Sequence, residues 1–443
     1  MNGKSRLFKR LLEYCQTVPI IDTHDHTSCL GPKYTDPIQV VVYGYMISDL
    51  ACATSENEAQ LLLDVSIPWE QRWPILEKAW KKASNTGYAW VTSKLLKKFY
   101  QVDEITFESM QKIQANLMDL ENENLFEKVL TDAHIVLRLQ NILDLHLGSV
   151  INKTLSLTPR SRLVIPLPDF HLLQSSEQIK KITESVDKVA GSLDEYVSIC
   201  GMIFHKFKEY GAAAFKDQSA YSRKIDFEDI PQEQADTIFQ SILMRKDGPI
   251  PTENMIALSN FLFIKFMKFA EELNLPVQIH TGLLDRMYGD IRGTNASNLI
   301  PMIDSHRNVK FDLLHANWPY GGDILFLAKN FPNVSINFCW TQMIDPHYAQ
   351  QLMKQAICSI PLSKVHAFGS DHGGHAILPP GGRPDRAWAA AEIARENVSW
   401  SLTDLLEKQY VSFNQAINIM DAWFFHNPND FYNLQLKFDR FIK

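Results

Sequence analysis

Apolar positions along the chain follow two rhythms. From about residue 127 onward, short apolar runs rich in β-branched residues alternate with helical stretches of about ten to thirty residues, the pattern of an α/β fold. The predicted strands are Ile135–Leu139, Arg162–Leu167, Ala212–Lys216, Pro276–Thr281, Val309–His315, Val334–Phe338 and Val365–Gly369. An eighth, first in the chain, is Ile20–His26, whose apolar entry runs into Asp22-Thr23-His24-Asp25-His26. Ahead of it, Phe8, Leu11, Leu12 and Cys15 recur at helical spacing, and Pro19 marks the break before the strand. Residues 36–128 follow a turn-like Gly31-Pro32-Lys33 and read as mostly helical, with Trp69, Trp73, Trp80, Tyr88 and Trp90 among their aromatics. The tail from Leu402 to Lys443 also reads as helical, interrupted near Pro428.

Eight strands separated by helices predict an α/β (β/α)₈ barrel with a large helical insertion after strand 1. The segments are residues 1–35 (leading helix and first strand), 36–128 (insertion) and 129–443 (the rest of the barrel and C-terminal helices). An open doubly wound sheet shares this periodicity, but it would bring a Gly-rich phosphate turn after its first strand, and none follows Ile20–His26. A barrel gathers its strand ends on one rim, and the residues at those ends are His24, His26, Lys216, His280, His315 and Asp371. Residues two apart in a strand share a face, so His24 and His26 converge, and imidazole nitrogen is the usual protein ligand for zinc. Asp22 lies one step deeper on that face, placed to orient a ligand histidine. The insertion leaves the histidine strand directly and is placed to cap the rim. An independent helical unit with an aromatic core is the alternative.

Composition narrows the partners. A net charge of −7 speaks against a general nucleic-acid partner, which needs concentrated Lys and Arg. The six cysteines include no close-spaced pair, which fits reduced thiols in a cytoplasmic protein better than a disulfide framework or a thiolate zinc finger. The charged N-terminus lacks a signal-peptide core, and no uncharged apolar run of about 18 residues offers a membrane span. A small-molecule substrate is expected; a homo-oligomer is compatible with the composition.

The motifs Asp22-Thr23-His24-Asp25-His26, Phe215-Lys216 with Ala220-Tyr221-Ser222-Arg223, Pro276 to Gly282, Leu314-His315 with Pro319-Tyr320, Pro332-Asn333-Val334, and Phe368-Gly369-Ser370-Asp371 resemble the amidohydrolase superfamily. The likeness is to its metal-dependent hydrolase branch, near decarboxylases and uronate isomerases, and covers residues 17 to about 435 outside the insertion. It implies a metal-dependent hydrolase acting on a small polar, anionic substrate, with isomerisation or decarboxylation on the same barrel as the alternative. A catalytically silent barrel is a third reading, against which no metal-site position is replaced. His24, His26, His280 and Asp371 match metal ligands, with Asp371 also moving the proton; His315 matches a sixth-strand ligand or a donor to the substrate oxygen. Lys216 stands where a carboxylated lysine bridges two ions in binuclear relatives, and the same position can instead present an ammonium to an anion. The resemblance implies Zn²⁺, with Mn²⁺ or Fe²⁺ as alternatives, and one ion rather than two. Arg223, Arg72, Trp73 and His372 join Lys216 as substrate-binding candidates, with Arg292, Arg383, Arg386 and His375 as weaker ones.

Overall fold

The structure, a computed structural model of the 443-residue chain, describes residues 3–26, 33–119, 122–143, 145–157, 160–245, 248–372 and 383–441. Gly31, Pro32, Gly373, Gly374, His375, Gly381 and Gly382 lie outside the described residues. Eight parallel strands pair in chain order: β1 (Ile20–Asp25), β2 (Ile135–Gln140), β3 (Ser161–Pro166), β4 (Ala214–Asp217), β5 (Val277–Ile279), β6 (Phe311–Leu313), β7 (Val334–Asn337) and β8 (Val365–His366). Every residue of β1 is buried, as expected where helices cover a parallel sheet from outside and its own side chains fill it from within.

The strands are shorter than their apolar runs because pairing stops before the rim. His26, His280, His315 and Asp371 therefore stand just beyond the ladders, where the backbone can turn each side chain toward the axis. The seam between β8 and β1 is closed by the segment after β8. The Thr23 amide donates to the Phe368 carbonyl at 3.2 Å, and the Asp371 amide to the His24 carbonyl at 2.9 Å. Below the rim the axis is polar: Asp312 accepts from Asn337 at 2.7 Å, faces His366 Nδ1 at 3.0 Å, and accepts from Tyr432 of the C-terminal segment.

Between β1 and β2 a run of helices extends from Pro37 to Asp132. Its helix Gly87–Leu95 packs against Thr341–Ile344 beyond β7 and against the long helix Pro384–Glu407 beyond β8. The predicted helical tail needs a correction. Helix runs from Phe413–Asp421 through the π-helical turn Ala422–His426 into Asn427–Phe431, so Pro428 does not interrupt it, and residues 433–441 are irregular. No helix among the described residues is long and apolar enough to cross a membrane.

Candidate metal centre at the barrel rim

The end of β1 meets the end of β8. His24 Nε2 and His26 Nε2 each lie 3.3 Å from Asp371 Oδ1, and all three residues are buried or nearly so. The proton positions follow from the neighbours. His26 Nδ1 faces the Asn141 carbonyl at 3.0 Å; a carbonyl only accepts, so Nδ1 carries the hydrogen and Nε2 presents a lone pair. That lone pair faces a carboxylate oxygen. Burial, and after it the Lys216 ammonium, push His24 down to about 3, so it too is a neutral base. His24 Nε2 and the His26 lone pair thus converge on one carboxylate oxygen, a spacing that a cation between them would satisfy. Two ligands held about 2.0–2.1 Å from a tetrahedral zinc-type ion stand about 3.3 Å apart, so the donor set fits a divalent metal.

The local backbone is built for this. Asp371 has φ 50°, His315 φ 64° and Trp340 φ 61°, left-handed conformations that non-glycine residues rarely adopt and that cluster at functional sites. Asp22 Oδ1 accepts from the Ser370 amide at 2.9 Å and the His24 amide at 3.3 Å. It therefore holds His24 and the segment leading to Asp371 through their backbone amides. Burial, and then Asp25, push Asp22 up to about 8. Gly369 has no room for a side chain: a Cβ there would sit 2.7 Å from Cys339 Cβ and 3.2 Å from the His24 nitrogen.

The opposite half of the rim is arranged differently. His280 Nε2 donates to the Leu283 carbonyl at 2.7 Å, which leaves Nδ1 bare to accept from His315 Nε2 at 2.9 Å. His315 Nδ1 faces the Cys339 carbonyl at 3.3 Å and Asp371 Oδ2 at 3.7 Å. Both nitrogens of His280 are thus engaged, and the structure groups it with His315 apart from the His24, His26 and Asp371 cluster. Lys216, at the end of β4, is 1% exposed, and its Nζ has no hydrogen-bond partner among the described residues. Burial lowers it to about 8 against the opposing pull of Asp371.

The other expected substrate contacts are distributed as follows. His372 is buried, pushed down to about 3 by burial and then Arg386, with its ring 5.6 Å from that of Tyr45. Arg72 is buried inside the insertion, donating to Leu62 O (2.7 Å), Ile67 O (2.8 Å) and Asp36 Oδ2 (2.6 Å). Trp73 packs edge-on against Phe107 there. Arg223 spends its donors on Lys224 O, Ile256 O, Ser259, Asp226 and Asn260. Arg386 donates to Val40 O, Arg383 lies over Tyr34 and Tyr43, and Arg292 is an exposed partner of Asp290.

Several rim residues were not singled out from the sequence. Tyr45 of the insertion donates its hydroxyl to the Asp371 carbonyl, and its ring lies tilted against that of Trp340, 4.6 Å between centroids. Trp340 also stands edge-on to His315 at 5.2 Å, and Tyr221, already part of the quoted Ala220–Arg223 motif, lies 4.8 Å from His280. Beyond Trp340 a cavity of about 510 Å³, lined by Asp49, Tyr88, Leu284, Arg286, Trp318 and Trp340 among others, opens between the insertion and the loops after β5 and β7. Cys339, two residues past β7, was visible by the same strand-end rule that found Asp371.

Residues 251–432, which span β5 to β8 and carry His280, His315 and Asp371, match the family model described as amidohydrolase. One curated relative, the protein fluG of Emericella nidulans, is 25% identical over 162 residues, 36% of this chain and 18% of that protein, so the match spans under a fifth of its length. Among solved structures, a uronate isomerase from Thermotoga maritima superposes with TM-score 0.77 at 16% identity, covering 98% of this chain and 99% of that one. A glucuronate isomerase from Caulobacter crescentus gives 0.74 at 13% identity, covering 98% and 95%. A candidate metal-dependent hydrolase from Lactobacillus casei gives 0.66 at 14%, covering 96% and 98%. The family match covers less than half of the chain, and it lies across the strands that carry half of the rim chemistry, on a barrel of this topology.

Proposed function

We propose that this protein is a metal-dependent hydrolase acting on a small polar, anionic substrate at the β1 and β8 side of the rim. The observation that carries the reading is the convergence of His24 Nε2 and His26 Nε2 on Asp371 Oδ1, each at 3.3 Å. A zinc-type ion held there, with Mn²⁺ or Fe²⁺ as alternatives, would acidify water and polarise a carbonyl. The protein's own groups do the rest. Asp371 takes a proton at its carboxylate and returns it to the leaving group. His315 faces the same carboxylate from the other side, and Lys216 offers a buried cation to the substrate's anionic group. Tyr45 and Trp340 close the rim under the insertion, which excludes water and helps to choose the substrate. Unpaired thiols at Cys15, Cys52, Cys200, Cys339 and Cys358 support a cytoplasmic setting.

The full-length likeness to uronate isomerases favours a second reading, isomerisation of a uronate-type sugar acid on the same residues. Metal-reloaded protein should be offered small amides, lactones and sugar acids, with products read by mass. Hydrolysis adds the mass of one water; isomerisation leaves the mass unchanged. Products of unchanged mass from sugar acids, with no turnover of amides or lactones, would replace the first reading by the second.

A further inference from the structure

Resting on the metal-centre reading above, we infer that the rim carries a second cation seat, formed by His315, Cys339 and Asp371, which takes a thiophilic ion of the zinc, cobalt or cadmium kind. Ligand atoms of these three buried residues all lie within 4.8 Å of one another. The seat differs from the first in both position and chemistry. Asp371 points Oδ1 at His24 and His26, and Oδ2 at His315 Nδ1. The carboxylate therefore stands between two seats, one with nitrogen and oxygen donors, the other with nitrogen, oxygen and sulfur.

His280 sets up the second seat without entering it. Its Nδ1 faces His315 Nε2 at 2.9 Å, which leaves His315 Nδ1, 3.3 Å from the Cys339 carbonyl and 3.7 Å from Asp371 Oδ2, as the ring nitrogen on the side of the seat. The thiol is confined as well. The missing side chain of Gly369 leaves the space that Cys339 Sγ occupies, 2.8 Å from where a Cβ would stand. A buried cysteine is more often simple packing. Here, however, it ends a barrel strand next to two ligand-type residues. The buried Lys216 amine, which has no hydrogen-bond partner among the described residues, is close enough to act electrostatically on both Cys339 and Asp371. An amine left open at this point is placed to meet a substrate anion or a water on the ion. Binding displaces the thiol proton to solvent, since the thiolate is the ligand form, and sulfur then selects a soft ion over Mg²⁺ or Mn²⁺.

The test is stripping the full-length protein with chelator and titrating it with Co²⁺ and separately with Cd²⁺, following ultraviolet thiolate-to-metal charge-transfer absorption and bound-metal stoichiometry. Wild type should bind a first equivalent without the thiolate band and a second that brings it in. Cys339→Ser should keep the first and lose both the second equivalent and the band. A wild type saturating at one equivalent with no thiolate band overturns the second seat while leaving the first intact, and a protein that binds neither ion overturns both. A band that persists in Cys339→Ser assigns it to another cysteine and also overturns the proposal; the wild-type titration decides even if that variant does not fold.

Discussion

The two halves of the rim use the same residue types in opposite ways. On the β1 and β8 side, two imidazole nitrogens, His24 Nε2 and His26 Nε2, converge on the same carboxylate oxygen of Asp371. On the β5 and β6 side, His280 and His315 satisfy each other, with the outer nitrogen of His280 tied to Leu283 O. A histidine at a strand end is therefore not a metal ligand by position alone. What distinguishes the halves is whether the neighbours consume the lone pair, and that is set by one backbone carbonyl on each side, Asn141 O for His26 and Leu283 O for His280.

The largest expected effect breaks the first half. His26→Ala removes one of three converging donors and should weaken metal retention by about 100-fold or more, since loss of even an outer partner of a ligand costs about 10- to 100-fold. His280→Ala should leave the first equivalent in place, and metal analysis of the two variants side by side checks this. If His280→Ala strips that ion equally, the two halves act as one site. Next, Asp371→Asn should lower turnover by about 10²-fold or more while the ion is still held by the histidines, because asparagine tolerates the φ of 50° but cannot carry the proton. Activity within a few fold of wild type would remove Asp371 from proton transfer.

A third test separates the rim from the insertion. Arg72→Ala leaves Asp36 as a buried carboxylate without its partner and should cost about 3–5 kcal/mol of stability, read by denaturant unfolding. Metal content at low temperature should be unchanged. A weaker substrate Michaelis constant with unchanged stability would instead return Arg72 to substrate binding. The smallest effect concerns acid. His171 is buried between Asp217 at 2.8 Å and Ser259 at 2.8 Å, and burial holds it below its ordinary value. The unfolded chain protonates this imidazole near pH 6.5 while the folded chain does not, so its contribution is present above about pH 6.5 and is lost as pH falls below it. Melting temperatures of wild type and His171→Asn at pH 7.5 and 5.5 should show a smaller acid loss in the variant; equal losses would mean that His171 does not contribute.

Much of this molecule was readable in advance. Apolar runs bounded by helices located all eight strands, because burial on both faces of a parallel barrel demands such runs wherever a strand lies. Strand-end position then found His24, His26, Lys216, His280, His315 and Asp371, since the fold places every strand end on one rim. The same rule applies to Cys339, two residues past β7.

What the chain alone could not show is how each polar group spends its bonds. Arg72, Arg223 and Trp73 had the chemistry of substrate contacts, yet packing claims them, because a guanidinium buried among carbonyls and carboxylates meets its needs inside the protein. Tyr45 is separated from Asp371 by more than three hundred residues, so no local pattern could announce that its hydroxyl would rest on the Asp371 carbonyl. Strand identity and rim membership are properties of local periodicity and topology, and sequence carries both. Which lone pairs are left over depends on contacts between distant strands and the insertion, and only the tertiary structure decides it.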